Sequence, residues 1–595
     1  MEANKPKKVT AITVAQAFRD TVARVPDRVA FRTLDDSVSL TWAQARDRSD
    51  SLAGGLAKLG LKRGETIALM LNNRPEFHLA DLAAITLGAT SFSIYQTLPA
   101  EEIVYVVADS GARIAIVEEA FLAVFSEARK SLPSIEHVIV LGASATGCIA
   151  WDDVEGSNPG FDIDSAWRQT APDDLLTLIY TSGTTGHPKG VQLSHHNLLS
   201  AVTMIEQVID FPDGSKVISW LPSAHIAERC AHHYIPIAFG MTVTCCDNPR
   251  EITSYLPKVK PTWFFAVPRI WEKLKAGLET MLVGAPQEQR EHVTAALADA
   301  TEKVVLEQAG KPVPKALAER CAKADAEIFA GLRAMLGFDE AIAVHVGAAP
   351  TAPEVLIFFH AIGIELAELW GMSETCGAGT VNPPGRVKIG TVGPPGPGVE
   401  IRLADDGELL IRGDIVMVGY RNKPEQTAET ITADGWLLTG DIGEIDEDGY
   451  LSIVDRKKEL IINAAGKNMS PSNIESSLKV SSPLIGLACA IGDARPYNTA
   501  LLLLDGDFAP AWAAQQGIED LSLGALASNP VVVAEVQLAV DRANQTLARV
   551  EGIKKFTLIG EDWLPGGDEL TPTMKLKRKP ISAKYADAIE AMYAK

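Results

Sequence analysis

From about residue 13 to residue 118 the chain alternates two kinds of hydrophobic spacing. Residues 51–61 (SLAGGLAKLGL) repeat apolar positions at helical intervals, whereas residues 65–71 (ETIALML) and 112–118 (ARIAIVE) are short apolar runs. Helical pieces alternating with such runs predict buried strands of parallel sheets flanked by helices. The alternation returns after Asp173, where Leu175-Leu176-Thr177-Leu178-Ile179-Tyr180 predicts a buried strand entering a loop rich in Gly, Ser and Thr, with a helix beyond it. Between about residues 276 and 338 the text shifts to Ala, Glu, Lys and Arg with few glycines, which predicts two or three solvated helices inserted into the pattern. Residues 390–454 change period again. Apolar alternation broken by Asp406-Gly407 and Asp448-Gly449 predicts a small β subdomain with hairpin turns at those pairs.

A strand at Tyr450-Leu451-Ser452-Ile453-Val454 then runs into the charged string Asp455-Arg456-Lys457-Lys458-Glu459, and the text beyond has its own α+β character. The fold class expected is therefore α/β. A large N-terminal domain, residues 1–454, carries parallel-sheet α/β subdomains, the helical insertion and the β subdomain; a smaller α+β C-terminal domain covers residues 455–595, with a hinge near Asp455. In the smaller domain, Ser472 and Glu475 stand at capping-box spacing for a helix.

Composition narrows the function. The chain has 595 residues, 47% apolar and 22% charged, which are globular proportions and exclude a disordered chain or a disulfide scaffold. Lys plus Arg number 55 against 76 Asp plus Glu, a formal charge of −21, which argues against a nucleic-acid partner. An anionic ligand has to be met by local donors. The cysteines, Cys148, Cys230, Cys245, Cys246, Cys321, Cys376 and Cys489, form no C-x-x-C pair and read as reduced thiols. Residues 82–100 are free of charge, but Gly88, Ser91, Ser93, Gln96 and Pro99 make them a poor membrane span. The opening MEANKPKKVT is basic with no apolar stretch behind it, unlike a secretory signal. A cytoplasmic protein is expected, with peripheral membrane contact and a homo-oligomer left open.

The sharpest local signal is Tyr180-Thr181-Ser182-Gly183-Thr184-Thr185-Gly186-His187-Pro188-Lys189-Gly190. Its glycines let the backbone approach a ligand closely, its hydroxyls donate and Lys189 supplies a cation, a combination suited to phosphate oxygens. It is not a Walker A loop, because Pro188 precedes the lysine and Gly190 follows it. The pairs His195-His196 and His232-His233 lack partners at metal-ligand spacing, so no zinc is expected, and there is no G-x-S-x-G elbow.

The string resembles the phosphate loop of the adenylate-forming superfamily of acyl-CoA synthetases, peptide-synthetase adenylation domains and luciferases. Trp370-Gly371-Met372-Ser373-Glu374-Thr375, Thr439-Gly440-Asp441, Asp455-Arg456-Lys457-Lys458-Glu459 and Pro572-Thr573-Met574-Lys575-Leu576-Lys577-Arg578 resemble further family segments in the expected order, so the resemblance spans nearly the whole chain. It implies ATP, Mg²⁺ and CoA, and a reaction that adenylates a carboxylate and then hands the acyl group to a thiol. Such chemistry brings two anions together and must stabilise charge at the α-phosphorus, so acidic, basic and hydroxyl groups have to converge.

By resemblance, Thr181, Ser182, Gly183, Thr184, Thr185, Gly186 and Lys189 hold phosphates, and Glu374 holds Mg²⁺ with a hydroxyl from Thr181 or Thr184. Trp370 stands where the family usually has Tyr against adenine. Gly347, Gly371 and Thr375 are implied at nucleotide-binding positions, Asp441 at the ribose hydroxyls, and Arg456 at ribose or phosphate. Lys575 is implied as the catalytic lysine, although Thr573-Met574 replace the family's Ser-Gly and Lys577 and Lys579 leave the register open. His225 is placed near the substrate carboxylate or in the core. The C-terminal domain is implied to be mobile about the hinge, presenting Lys575 in the first half-reaction and Gly466-Lys467-Asn468 at the thiol channel in the second.

The segments Leu221-Pro222-Ser223-Ala224-His225-Ile226-Ala227-Glu228-Arg229 and residues 267–274 (VPRIWEKL) resemble long-chain synthetases more than acetate or aryl ligases. The expected activity is that of a long-chain fatty acid:CoA ligase. An acyl-AMP ligase loading a carrier protein, and a binding protein without catalysis, stand as alternatives.

Overall fold

The structure is a computed structural model that describes residues 9–142, 145–181, 187–464 and 467–594. The apolar run Thr66–Met70 is buried at every position and lies between Thr90–Ser93 and Ile114–Glu118, both parallel to it. The full sheet, among the described residues, runs Gly419–Tyr420, Lys189–Ser194, Leu175–Thr181, Thr90–Ser93, Thr66–Met70, Ile114–Glu118, His137–Leu141, Ile149–Ala150. Pro75–Thr86 is buried at every position but Glu76, with the acid Asp81 inside it paired to Arg229 and His233. Trp42–Lys58 starts at a capping box of Thr41 and Gln44.

A second sheet sets the parallel strands Trp263–Ala266, Ala343–Val346 and Leu366–Trp370 side by side and ends in the antiparallel Thr380–Val381. The charged stretch between its first two strands forms the helices Pro268–Val283, Gln287–Gln308, Lys315–Ala324 and Ala330–Leu336. Glu400–Leu403, Glu408–Arg412, Leu437–Ile445 and Leu451–Arg456 make an antiparallel sheet, with the Asp-Gly pairs in the connections between its first two and its last two strands. No helix among the described residues is long and apolar enough to cross a membrane.

Three local expectations change. The phosphate loop is followed by the strand Lys189–Ser194, antiparallel to Leu175–Thr181, and the helix His195–Val208 begins only after Ser194 caps it with Asn197. The alternation in Gly190-Val191-Gln192-Leu193 buries best as a hairpin arm. Gly419–Tyr420, inside the β-rich text, leaves the small sheet and pairs with Lys189–Ser194. The helix Pro471–Ser481 is capped by Ser470, whose hydroxyl accepts from Asn473 N, and not by Ser472. Ser472 turns instead to Asp455: its hydroxyl and N–H, both at 3.1 Å, join the Ser470 hydroxyl at 2.6 Å on that carboxylate.

Buried apolar clusters separate near Asp455. Those of the first part end at Leu451, and the sheet Ile485–Ile491, Asn498–Leu504, Ile553–Ile559 packs with Pro471–Ser481 and Pro530–Thr546 into clusters of its own. Polar pairs bridge the two parts: Arg269 to Asp505 at 3.4 Å, Lys273 to Asp507 at 3.2 Å and Lys479 to Glu272 at 3.4 Å. Long pairs with solvent access contribute little to stability.

Candidate active site

Glu374 lies in the 3₁₀ turn Ser373–Thr375, just beyond the strand Leu366–Trp370. The turn is tight. A Cβ on Gly371 would stand 2.5 Å from the Ala378 Cα, and Cys376 and Gly377 take φ of 56° and 93° to fold the chain back so that Thr380–Val381 pairs with the strand it left. Thr375 closes the turn, accepting from Met372 N at 3.1 Å. Glu374 is 7% exposed, and one of its carboxylate oxygens accepts the Tyr420 hydroxyl at 2.8 Å. Tyr420 reaches it because Gly419–Tyr420 adds to the edge of Lys189–Ser194.

The same ring carries the Lys189 ammonium 4.1 Å from its centroid. Burial lowers the Lys189 pKa while the Glu374 charge opposes that shift. Thr181 ends the strand Leu175–Thr181, and its hydroxyl lies 3.4 Å from the Lys189 carbonyl. Of the expected phosphate loop, Ser182, Gly183, Thr184, Thr185 and Gly186 lie outside the described residues, as does Gly466.

Asp441 stands inside the strand Leu437–Ile445, where the positive φ of Gly440 (71°) accompanies an irregular register. Arg456 is its direct cross-strand partner. The guanidinium Nε meets one Asp441 oxygen at 2.8 Å, and the Trp370 indole N–H donates to the other at 2.8 Å. Asp441 is 4% exposed, and burial pushes its carboxyl up from the usual range while Arg456 and Trp370 hold it down. Gly347 ends the strand Ala343–Val346; a Cβ there would stand 3.0 Å from the Leu369 carbonyl.

Lys575 follows a turn closed by Thr571 N to Lys575 O at 2.8 Å and Lys575 N to the Thr571 hydroxyl at 3.0 Å. Met574 holds φ 64° in that turn, a conformation a glycine takes at less cost. The Lys575 side chain keeps solvent-accessible area, as a group lining an open crevice does, yet the protein around it lowers its pKa first, followed by the Arg456 cation; Asp441, Glu459 and Glu374 pull the other way. Its charge also reaches His225, which burial and then Lys575 push down to about 4. His225 Nδ1 accepts from Ala227 N at 3.1 Å, so the neutral ring carries its proton on Nε2. Lys577 is turned away, donating to the Gly567 carbonyl at 3.0 Å in its own domain. The structure thus links Lys575 by charge to His225, Glu374, Asp441 and Arg456, Glu374 to Lys189, and Asp441 to Trp370.

The model of the AMP-binding enzyme family matches residues 18–421, and that of the AMP-binding enzyme C-terminal domain matches residues 458–595. The chain belongs to the AMP-binding enzyme family. It is 48% identical over 453 residues to fadD11 of Mycobacterium tuberculosis, covering 76% of this chain and 79% of that one. It is 34% identical over 587 residues to the long-chain-fatty-acid–CoA ligase FadD15 of the same organism, covering 96% and 95%. Its fold matches the anthranilate CoA ligase AuaEII in complex with anthranoyl-AMP at a TM-score of 0.75 and 19% identity, over 97% of this chain and 98% of that one.

Some residues of this AMP-binding enzyme's crevice escape sequence reasoning. Tyr420 carries no signal beyond lying in β-rich text. Arg578, legible in the sequence as part of the lysine segment, pairs with Glu475 at 2.6 Å and Glu459 at 3.2 Å inside the small domain. Glu368 shares the strand Leu366–Trp370, accepts from Thr351 N at 3.3 Å, and is pushed up to about 7 by burial.

Proposed function

We propose that this AMP-binding enzyme is a long-chain fatty acid:CoA ligase, converting a fatty acid and ATP to acyl-AMP and pyrophosphate and then passing the acyl group to CoA. The observation that carries this reading is that the Lys575 charge, from the small domain, acts on Glu374, Asp441, Arg456 and His225 of the large domain and hinge, beside the Asp441 contacts to Trp370 and Arg456 at 2.8 Å. The long-chain name of FadD15, which matches along nearly the full length, supports the substrate class.

In the first half-reaction a fatty-acid carboxylate oxygen attacks the α-phosphorus and pyrophosphate leaves. Lys189 and the phosphate loop hold the β- and γ-phosphates; the mobile Lys575 cation stabilises charge developing at the α-phosphate. The His225 Nε2–H, fixed by the Ala227 contact, orients the carboxylate. Asp441 and Arg456 hold the ribose, and Trp370 lies against adenine. Glu374 fits a divalent site: one oxygen takes Tyr420, and the other has no hydrogen-bond partner among the described residues. Glu374, with the Thr181 hydroxyl, would hold Mg²⁺, which would screen the phosphate charge when bound. In the second half-reaction the CoA thiol attacks the acyl carbonyl and AMP leaves. Rotation about Asp455 removes Lys575 and brings the Gly466-Lys467-Asn468 segment to the thiol.

The test is a panel of acids from acetate to C20, assayed with ATP, Mg²⁺ and CoA and without any carrier protein, scored by kcat/KM. The expected maximum falls among long saturated or monounsaturated acids with acyl-CoA as product. A maximum at acetate or an aromatic acid, or turnover that requires a carrier protein, overturns the proposal.

A further inference from the structure

We infer that Trp370 is a positioning residue for ribose recognition: its indole N–H orients the Asp441 carboxylate and so lets the enzyme select the ribose diol of its nucleotide. The inference rests on the reading of Asp441 as the ribose ligand. Trp370 is 9% exposed and Asp441 4%, so their 2.8 Å hydrogen bond forms where little water competes for either group. The indole slot is shaped by a neighbour. A Cβ on Gly379 would stand 3.0 Å from the six-membered ring of Trp370, so the glycine lets the indole sit where its N–H meets the acid. The strand pairing Trp370↔Thr380 fixes the backbone at the same point.

The two donors on Asp441 differ in anchorage. Arg456 reaches one oxygen from the hinge segment and is itself exposed; Trp370 reaches the other from the body of the large domain. Together they set the plane of the carboxylate, and each oxygen keeps a lone pair for a hydroxyl. When the hinge carries Arg456 away, the indole N–H alone still holds that plane. A phenyl ring at this position keeps an aromatic face for the base but donates nothing to the acid.

Equilibrium binding of ATP, 2′-deoxy-ATP and 3′-deoxy-ATP, with Mg²⁺ and no fatty acid, tests this in the full chain. A hydrogen bond to a charged group changes affinity by about ten- to a hundredfold. The native enzyme is expected to prefer ATP over each analogue by about tenfold or more on that basis. Trp370→Phe should bring the preference within about threefold, chiefly by weakening ATP. Its effect should vanish when Asp441→Asn is already present, as expected of a residue that acts through another. Gly379→Ala, which keeps the indole but displaces it, should narrow the same ratio and serves if Trp370→Phe does not fold. Equal weakening of all three nucleotides by Trp370→Phe, or additivity with Asp441→Asn, overturns the inference. An Asp441→Asn enzyme that still prefers ATP as the native one does overturns the ribose assignment itself, a separate failure.

Discussion

Replacing Glu368 by Gln should stabilise the protein at neutral pH and leave it unchanged in acid. Glu368 is half-buried on the strand leading to Trp370, and burial pushes its carboxyl up to about 7 from the usual 4.5, against the pull of the Thr351 and Gly390 N–H groups. In the unfolded chain the same acid ionises near its usual value. Between those limits the folded state binds more protons than the unfolded one, so stability falls as pH rises from 4.5 to 7 and levels off above. At about 1.36 kcal/mol per pKa unit, the loss at pH 8 reaches about 3 kcal/mol. Gln has the shape of the neutral acid, keeps a carbonyl oxygen for Thr351 N, and does not ionise. Urea unfolding of both proteins from about pH 5 to pH 8 should show the variant ahead by about 3 kcal/mol at the alkaline end, with the gap shrinking to under about 1 kcal/mol at pH 5. A gap independent of pH, or a native protein more stable than the variant at pH 8, refutes the reasoning.

Lys575→Ala should lose fatty-acid-dependent pyrophosphate release by about 10²–10³-fold, yet still convert supplied palmitoyl-AMP and CoA to palmitoyl-CoA near the native rate. Parallel loss of both half-reactions, or selective loss in Lys577→Ala instead, sinks the role given to Lys575. Tyr420→Phe keeps the ring beneath Lys189 but removes the donor to Glu374, so adenylation should fall about tenfold with a changed Mg²⁺ dependence and little change in the KM for ATP; an unaltered Mg²⁺ titration counts against the contact. Because His225 is pushed down to about 4, it stays neutral through the working range. The adenylation rate should therefore show no acid limb from this imidazole between about pH 5.5 and 7, and a limb near 6.5 that His225→Asn abolishes contradicts the assignment.

Much of the architecture depends on signals that act over a few residues, and these were legible in the chain. Continuous apolar runs such as Thr66–Met70 can bury only as sheet interior, and Asp-Gly pairs suit the tight links between antiparallel strands. The glycines, hydroxyls and lysine of the 180–190 string carry the expectation of a phosphate loop by composition alone, most of it outside the described residues. The charge of −21 bears on partners without any fold at all. What the chain alone left open depends on strand register and domain docking. Tyr420 meets Glu374 across 46 positions and Trp370 meets Asp441 across 71, contacts that exist because one short strand joins the edge of a distant hairpin and another ends beside the small sheet. Ser470 and not Ser472 caps its helix because the helix begins at Pro471, which leaves Ser472 inside the first turn with its hydroxyl on Asp455. Lys577 turns to the Gly567 carbonyl of its own domain, whereas the Lys575 charge acts on the residues of the large domain. Local propensity acts within a turn or two of chain, whereas a side chain's partner is chosen by packing among segments hundreds of residues apart, and only the tertiary structure makes that choice.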